Sequence, residues 1–465
     1  MSKTLFIKRF EIKELFGIYN VDIPFNNNIN IFVGENGLGK TTILNVLNYI
    51  IQGDSESLLS INFNTIILTL GNNEKIKILH DDLLNNNLSL SDRNRVNHYL
   101  EEDDYSFITR RIAMEIFKEK SPKILEDKEE RKKIFERILR RYRYDLSPSM
   151  LEKIYNLVLK NENFQEDLKN SWEYKIYQYM KNWDKIIYLP TYRRIEEDFN
   201  SYLENSPDKD YYRKDRKKRN FSYLQFGMDD VQRAIDYACE TLKNNTNEGF
   251  KAMTSNLLTN YVNISENKEK INFTSKNFNE STLDIVFSRL ADKIDQNIKE
   301  KIIKMLKENN TAEDKYHQYL LSIINELSSI YEKNKQIDDN LENFKNVCNN
   351  YLVNKNVEYD KFKIECKVEQ KVSKQPILLK NLSSGEKQII SLFSKLYLNT
   401  DEKNIILFDE PELSLSILWQ KRLLPDIINS NRCSFIAIIT HSPFIFDNEF
   451  RERAIDIKDY ISSVD

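Results

Sequence analysis

Ile29-Asn30-Ile31-Phe32-Val33-Gly34-Glu35-Asn36-Gly37-Leu38-Gly39-Lys40-Thr41-Thr42 decides how the rest of this chain is read. Its first five residues are mostly apolar and predict a short strand, and from Thr41 to Ile50 apolar residues recur at helical spacing. Between strand and helix lies a full match to G-x-x-x-x-G-K-[ST], the phosphate-binding P-loop pattern in its proper context. Glycines 34, 37 and 39 let the backbone turn its N–H groups toward phosphate oxygens, and the helix N-terminus adds a favourable dipole. The candidate nucleotide contacts are therefore Gly34, Glu35, Asn36, Gly37, Leu38, Gly39, Lys40, Thr41 and Thr42. Lys40 would reach the β- and γ-phosphates, and the Thr41 hydroxyl would ligate Mg²⁺.

Three further motifs lie in the last hundred residues. Ile405-Ile406-Leu407-Phe408 is an apolar strand that ends in Asp409-Glu410-Pro411, a good fit to Walker B. Asp409 would hold Mg²⁺ and Glu410 would act as general base on the attacking water. A charged turn after a buried strand explains the same residues, but not why a second strand, Ser434 to Ile439, follows and ends at Thr440-His441-Ser442. Leu382-Ser383-Ser384-Gly385-Glu386 opens a helix expected from Glu386 to Leu398, and Ser383 is also a plausible N-cap for it.

This set, in this order, resembles an ABC-type ATPase. The resemblance makes Leu382 to Glu386 the signature, with Ser384 where many members carry a second glycine, and His441 the switch histidine that contacts the γ-phosphate. It implies that Ser383, Ser384 and Gly385 serve the nucleotide held by an opposite subunit, so that ATP and Mg²⁺ close a homo-oligomer through head dimers. It further implies an α/β fold: a P-loop mixed sheet with helices, interrupted by a large insertion.

At 465 residues the chain exceeds one average domain. A formal net charge of −3 excludes strong overall attraction to polyanions and leaves room for local patches. The four cysteines, 239, 348, 366 and 433, form no C-x-x-C pair, which fits a reducing compartment and argues against structural zinc. With no signal peptide and no apolar stretch near ~18 residues, a cytoplasmic protein without a membrane partner is expected.

The expected organisation is an N-terminal head lobe over 1–80, a mostly helical insertion over 81–280, a coiled-coil-like helical hairpin over 281–353 and a C-terminal head lobe over 354–465. Thr65 to Leu70 should pair with Lys75 to Leu79 across Gly71-Asn72-Asn73, and Ile186 to Leu189 should return to the head as a strand. Tyr316, Leu320, Ile323, Leu327, Ile330, Asn334, Ile337, Leu341, Phe344, Cys348 and Tyr351 alternate steps of four and three, a heptad seam in which Asn334 would fix register. Leu283 to Leu306 is the expected antiparallel partner, and two core helices of a compact domain are the competing reading. Arg213 to Arg219 holds six basic residues in seven, suited either to nucleic acid or to a solvated loop, and Arg193 and Arg194 carry the same two readings. Gln225-Phe226-Gly227 is a weak Q-loop candidate that a helix-capping turn explains equally.

Roughly 340 residues separate P-loop from signature, far more than in transporter ATPases and enough for a domain or two. The arrangement resembles the RecF/SMC branch. Leu189-Pro190-Thr191-Tyr192-Arg193-Arg194 resembles a phrase found at this place in ABC-like ATPases of bacterial defence, such as AriA of PARIS, PtuA of Septu and overcoming-lysogenization-defect nucleases. One departure is Ser416, where many relatives have histidine. Only about 24 residues follow His441, too few for a Toprim nuclease, and His80, His98 and His317 stand isolated. The resemblance thus implies an ATPase sensor and scaffold that controls a separate nuclease or effector subunit and answers a phage-encoded trigger. The alternative is a RecF/SMC-like DNA-binding repair ATPase.

Overall fold

The computed structural model describes residues 5–35, 37–85, 169–181, 183, 185–190, 228–265, 285–289, 315–398 and 403–464, with single positions at 166, 297, 300–302 and 304. Asn36, the phrase from Thr191 to Arg194, the basic run 213–219, Gln225 to Gly227, His98, most of 86–168 and most of 283–306 lie outside the described residues.

In chain order the elements are β1 (Ile7–Leu15), β2 (Tyr19–Pro24), β3 (Ile29–Val33), α1 (Lys40–Gln52), α2 (Ser55–Leu59), β4 (Thr65–Leu70), β5 (Lys75–Leu79), α3 (His80–Asn85), α4 (Trp172–Met180) and β6 (Lys185–Leu189). They continue with α5 (Met228–Ser265), α6 (Lys315–Asn349), β7 (Lys355–Asp360), β8 (Glu365–Gln370), α7 (Ser384–Tyr397), β9 (Asn404–Asp409), α8 (Ile417–Asn429), β10 (Cys433–Thr440), β11 (Ala454–Asp456) and β12 (Ile461–Ser463). They fall into two compact units, one of residues 1–225 with 402–465, the other of residues 226–401.

The first unit is built on two sheets. One is antiparallel, in the order β12-β2-β1-β4-β5, and includes the hairpin expected across Gly71. Its strands alternate buried and exposed positions, as a sheet packed on one face must. The other is parallel, in the order β11-β3-β10-β9-β6. Every residue of β9 and β10 is buried, the continuous apolar run that a parallel sheet covered on both faces requires. A single core joins Phe6 and, from the antiparallel sheet, Phe10, Ile12 and Ile66 to Ile405, Leu407, Phe435 and Ala437 of the parallel one, with Ile43, Leu47 and Ile50 of α1 packed among them. Phe435 stands at its centre, with ring centroids 5.1 Å from Phe6 and 5.8 Å from Phe25. α4 is fastened here by Tyr179, whose hydroxyl donates to the Phe6 carbonyl at 2.6 Å and accepts from the Gly71 N–H at 3.1 Å.

In the second unit α6 spans 35 residues, about 52 Å at 1.5 Å per residue. Its seam residues Leu327, Leu341, Phe344 and Cys348 are almost wholly buried. Among the described residues the long helix packed against α6 is α5; most of 283–306, the expected partner, lies outside them, and its Val286 and Phe287 join the same apolar cluster as Ile324, Leu327 and Ile330. Asn334 is also buried, and its amide donates to the Ile330 carbonyl of its own helix at 2.9 Å. A buried pair locks the unit further: Arg289 donates to Asp338 at 2.6 Å and to the Lys361 carbonyl at 2.9 Å, and the Tyr359 hydroxyl donates to the same carboxylate. Among the described residues no helix is long and apolar enough to cross a membrane.

Gly71 admits no side chain, because a Cβ there would lie 1.8 Å from the Leu5 carbonyl oxygen. Gly71→Ala is expected to destabilise the first unit by about 1–3 kcal/mol through forced backbone movement. Urea unfolding followed by tryptophan fluorescence measures it, and an unshifted midpoint would contradict the close approach.

Candidate active site

Register in the parallel sheet brings the motifs to one level. Val33, the last residue of β3, pairs with Thr440 at the end of β10, and Ile439 pairs with Asp409 at the end of β9. The P-loop, the Asp409-Glu410 pair and His441 thus leave the carboxyl edge of three adjacent parallel strands, where ligands bind in such sheets.

The loop has the backbone its glycines permit. Gly37 and Gly39 take φ of 91° and 72°, in the left-handed region that side chains disfavour. Gly39 is the N-cap of α1 and supplies no side-chain cap, which suits the first-turn N–H groups of the helix to an anion. Gly34 is needed for close approach, since a Cβ there would meet Ile457 at 2.8 Å. Leu38 packs against the core, and Thr42 is half-buried in the first turn of α1.

Lys40 is buried, and its ammonium donates to the Gly34 carbonyl at 2.9 Å and to the Glu35 carbonyl. Burial pushes its pKa below the ordinary lysine value, against the pull of Glu410, Asp409, Asp456 and Glu412. The Thr41 hydroxyl donates to Asp409 Oδ2 at 3.0 Å, so the two candidate metal ligands meet across 368 residues of sequence. Asp409 is 1% exposed. The next residue, Glu410, has φ of 47°, a left-handed conformation that costs a non-glycine residue about 1–2 kcal/mol. Its N–H donates to the Ile439 carbonyl at 2.8 Å, and its carboxylate stands 3.8 Å from His441 Nε2.

Ser383, Ser384 and Gly385 lie in the second unit, at the start of α7. Ser383 is the N-cap of a capping box: its Oγ accepts from the Glu386 N–H, and Glu386 Oε2 accepts from the Ser383 N–H at 2.8 Å. Lys355 of β7 anchors that glutamate, donating to its two oxygens at 2.9 and 2.8 Å.

Several residues at this edge had no motif to betray them. Glu412 accepts hydrogen bonds from Thr440 and from the backbone of His441 and Ser442. Tyr188 of β6 donates to Asn45 of α1, pinning the P-loop helix to the sheet, and burial pushes its phenol pKa up. Asp456, at the end of β11, reaches the Lys40 ammonium electrostatically. The only signals available were an acid after Walker B, a tyrosine in a strand and an apolar stretch too short to show a period.

A family comparison points to the same class of chemistry. The model of the family described as AAA ATPase domain matches residues 6–446. No curated protein matches the chain. Among solved structures, the Smc head domain with an extended coiled coil from Pyrococcus furiosus, bound to the C-terminal domain of ScpA, is 14% identical at a TM-score of 0.32, with 99% of this chain and 96% of that one covered. The Smc head domain with a coiled coil and joint from Pyrococcus yayanosii is 15% identical at a TM-score of 0.31, with 99% and 97% covered. Likenesses at these TM-scores carry no argument of their own.

Lys40→Ala removes the ammonium seated in the loop. Loss of charge-assisted bonds to phosphate is expected to weaken ATP binding by at least about 1.5–3 kcal/mol, roughly ten- to a hundredfold. A calorimetric titration giving wild-type affinity would remove the nucleotide from this loop.

Proposed function

The chain belongs to the AAA ATPase domain family, and from that premise we propose that it hydrolyses Mg–ATP at a composite site shared by two heads, as the sensor and scaffold of a two-component antiphage system. The observation that carries the ATPase reading is the convergence of Lys40, Thr41, Asp409, Glu410 and His441 at one sheet edge. Loop N–H groups and Lys40 hold the β- and γ-phosphates. Thr41 and Asp409, a hydroxyl and a carboxylate already in contact, are an oxygen donor set that fits Mg²⁺ and would hold it. When bound, that ion neutralises charge on the phosphate oxygens. Glu410 takes the proton of the attacking water, and His441, adjacent to it, contacts the γ-phosphate.

Dimerisation rests on the signature-like sequence. Ser383, Ser384 and Gly385 form the N-terminus of a helix, a partial positive charge suited to the γ-phosphate of a nucleotide held by the partner head. The control of a separate nuclease, released or activated by a phage-encoded trigger, rests on the phrase that begins at Leu189. That residue ends β6 opposite Phe408, the residue before Asp409.

Glu410→Gln should keep Mg–ATP bound while turnover falls by about 10²-fold or more, and closed head dimers should accumulate. Single-turnover hydrolysis with light scattering tests both; wild-type turnover would mean that another group activates the water. The purified chain is also expected to hydrolyse ATP without cutting DNA or tRNA, with Mg²⁺ or Mn²⁺ present. Metal-dependent cleavage that co-purifies with this polypeptide would overturn the sensor reading. Turnover stimulated by DNA with no second chain present would favour the repair reading instead.

A further inference from the structure

Glu412 lies two residues beyond Glu410, and its carboxylate is filled by three consecutive residues, the last of β10 and the two that follow it. Oε2 accepts from the Thr440 hydroxyl at 2.7 Å. Oε1 accepts from the His441 N–H at 2.7 Å and from the Ser442 N–H at 3.2 Å. Successive backbone N–H groups turned to one point form an anion-binding nest, and here the anion is a side chain of the neighbouring strand end. A neutral acceptor would bind the same donors at roughly half the strength.

The grip falls on the backbone of the histidine whose ring stands 3.8 Å from Glu410. Gln420 of α8 extends it: its Nε2 donates to the Leu415 carbonyl at 2.9 Å, and its Oε1 accepts from Ser442 Oγ at 2.6 Å. The segment 412–416 and the loop 440–442 are therefore tied at two points, one charged and one neutral.

We propose that Glu412 is a positioning residue for ATP hydrolysis, clamping the backbone of residues 440–442 so that the His441 ring is held against Glu410. The inference rests on the hydrolysis reading above. It adds that the distance between His441 and Glu410 is set from the Walker B side, by an acid whose two oxygens accept from Thr440, His441 and Ser442. Because Gln420 couples the same loop to Leu415, a displacement of 412–416 is transmitted to His441.

The test is steady-state ATP hydrolysis by the full-length wild type, Glu412→Ala, Glu412→Gln, Glu412→Asp, His441→Ala and the Glu412→Ala/His441→Ala double variant, with melting temperature measured for each. Glu412→Ala should lower kcat about ten- to a hundredfold while KM for ATP stays within about threefold, the mark of an interaction felt in the transition state. Glu412→Gln keeps one carbonyl oxygen for the two N–H groups and should recover most of that loss. Glu412→Asp keeps the charge but withdraws it by one methylene, and should lose about fivefold or more in kcat, so the inference stays testable if the alanine variant does not fold. In the double variant Glu412→Ala should cost less than about threefold beyond His441→Ala alone, because residues that act through one another are not additive. Wild-type kcat in a folded Glu412→Ala, or losses that multiply in the double variant, would overturn the inference and leave the hydrolysis reading standing. A wild type that binds ATP without turning it over would sink both.

Discussion

The parallel pairing of β3, β10 and β9 is the constraint on which the rest of the first unit depends. Each strand is nearly all apolar, so its place in the sheet is fixed by burial on both faces, and its register fixes where it ends. With Val33 opposite Thr440 and Ile439 opposite Asp409, the polar residues that follow have no buried position to occupy and collect at one edge. A slip of a single residue along β9 would turn Asp409 away from Thr41 and separate the two oxygens that meet at 3.0 Å.

That edge is also where the backbone departs from relaxed geometry. Glu410 and Ser414 both have positive φ, four residues apart, and neither is glycine. Such conformations persist when their surroundings over-determine them. For Glu410 the surroundings are visible: its N–H continues the ladder to Ile439, and buried Asp409 precedes it in the strand. The segment between the two strained residues is the one that carries Glu412, so the carboxylate clamp on residues 440–442 and the strain on Glu410 belong to one stretch of chain.

What the sequence made legible follows from what has a period or a fixed spacing. The strand–loop–helix around Lys40, the apolar runs of β9 and β10, the β4–β5 hairpin and the return of β6 all announce themselves locally. β11 and β12 do not, because strands of three residues are too short to alternate, yet they complete both sheets. The heptad seam of α6 showed that one face is buried and left open by what; among the described residues the answer is largely α5, whose own apolar positions are diluted by charge. Asn334 looked like a register device, and its bond to Ile330 shows how a buried amide is satisfied within its own helix. Glu412 was invisible for a different reason: its role is made by three donors from residues 440–442, about 28 positions downstream, and no local pattern encodes that meeting.

The sequence separation of β3 from its neighbours has a consequence for how the protein is made. On one side lies β10, where Asn30 and Ile436 are bonded across 406 residues, and on the other lies β11, further along still. The strand that feeds the P-loop thus leaves the ribosome about 400 residues ahead of the strands it pairs with. At 5–20 residues per second the wait is about 20–80 s. During it β3 has both ladder edges unpaired, an invitation to mispairing, and contacts of such high order fold slowly even once the chain is complete. Nucleotide competence in this chain therefore waits for β10 and β11, and a nascent chain stalled before β10 emerges holds a phosphate-binding sequence with no paired β3 to aim it.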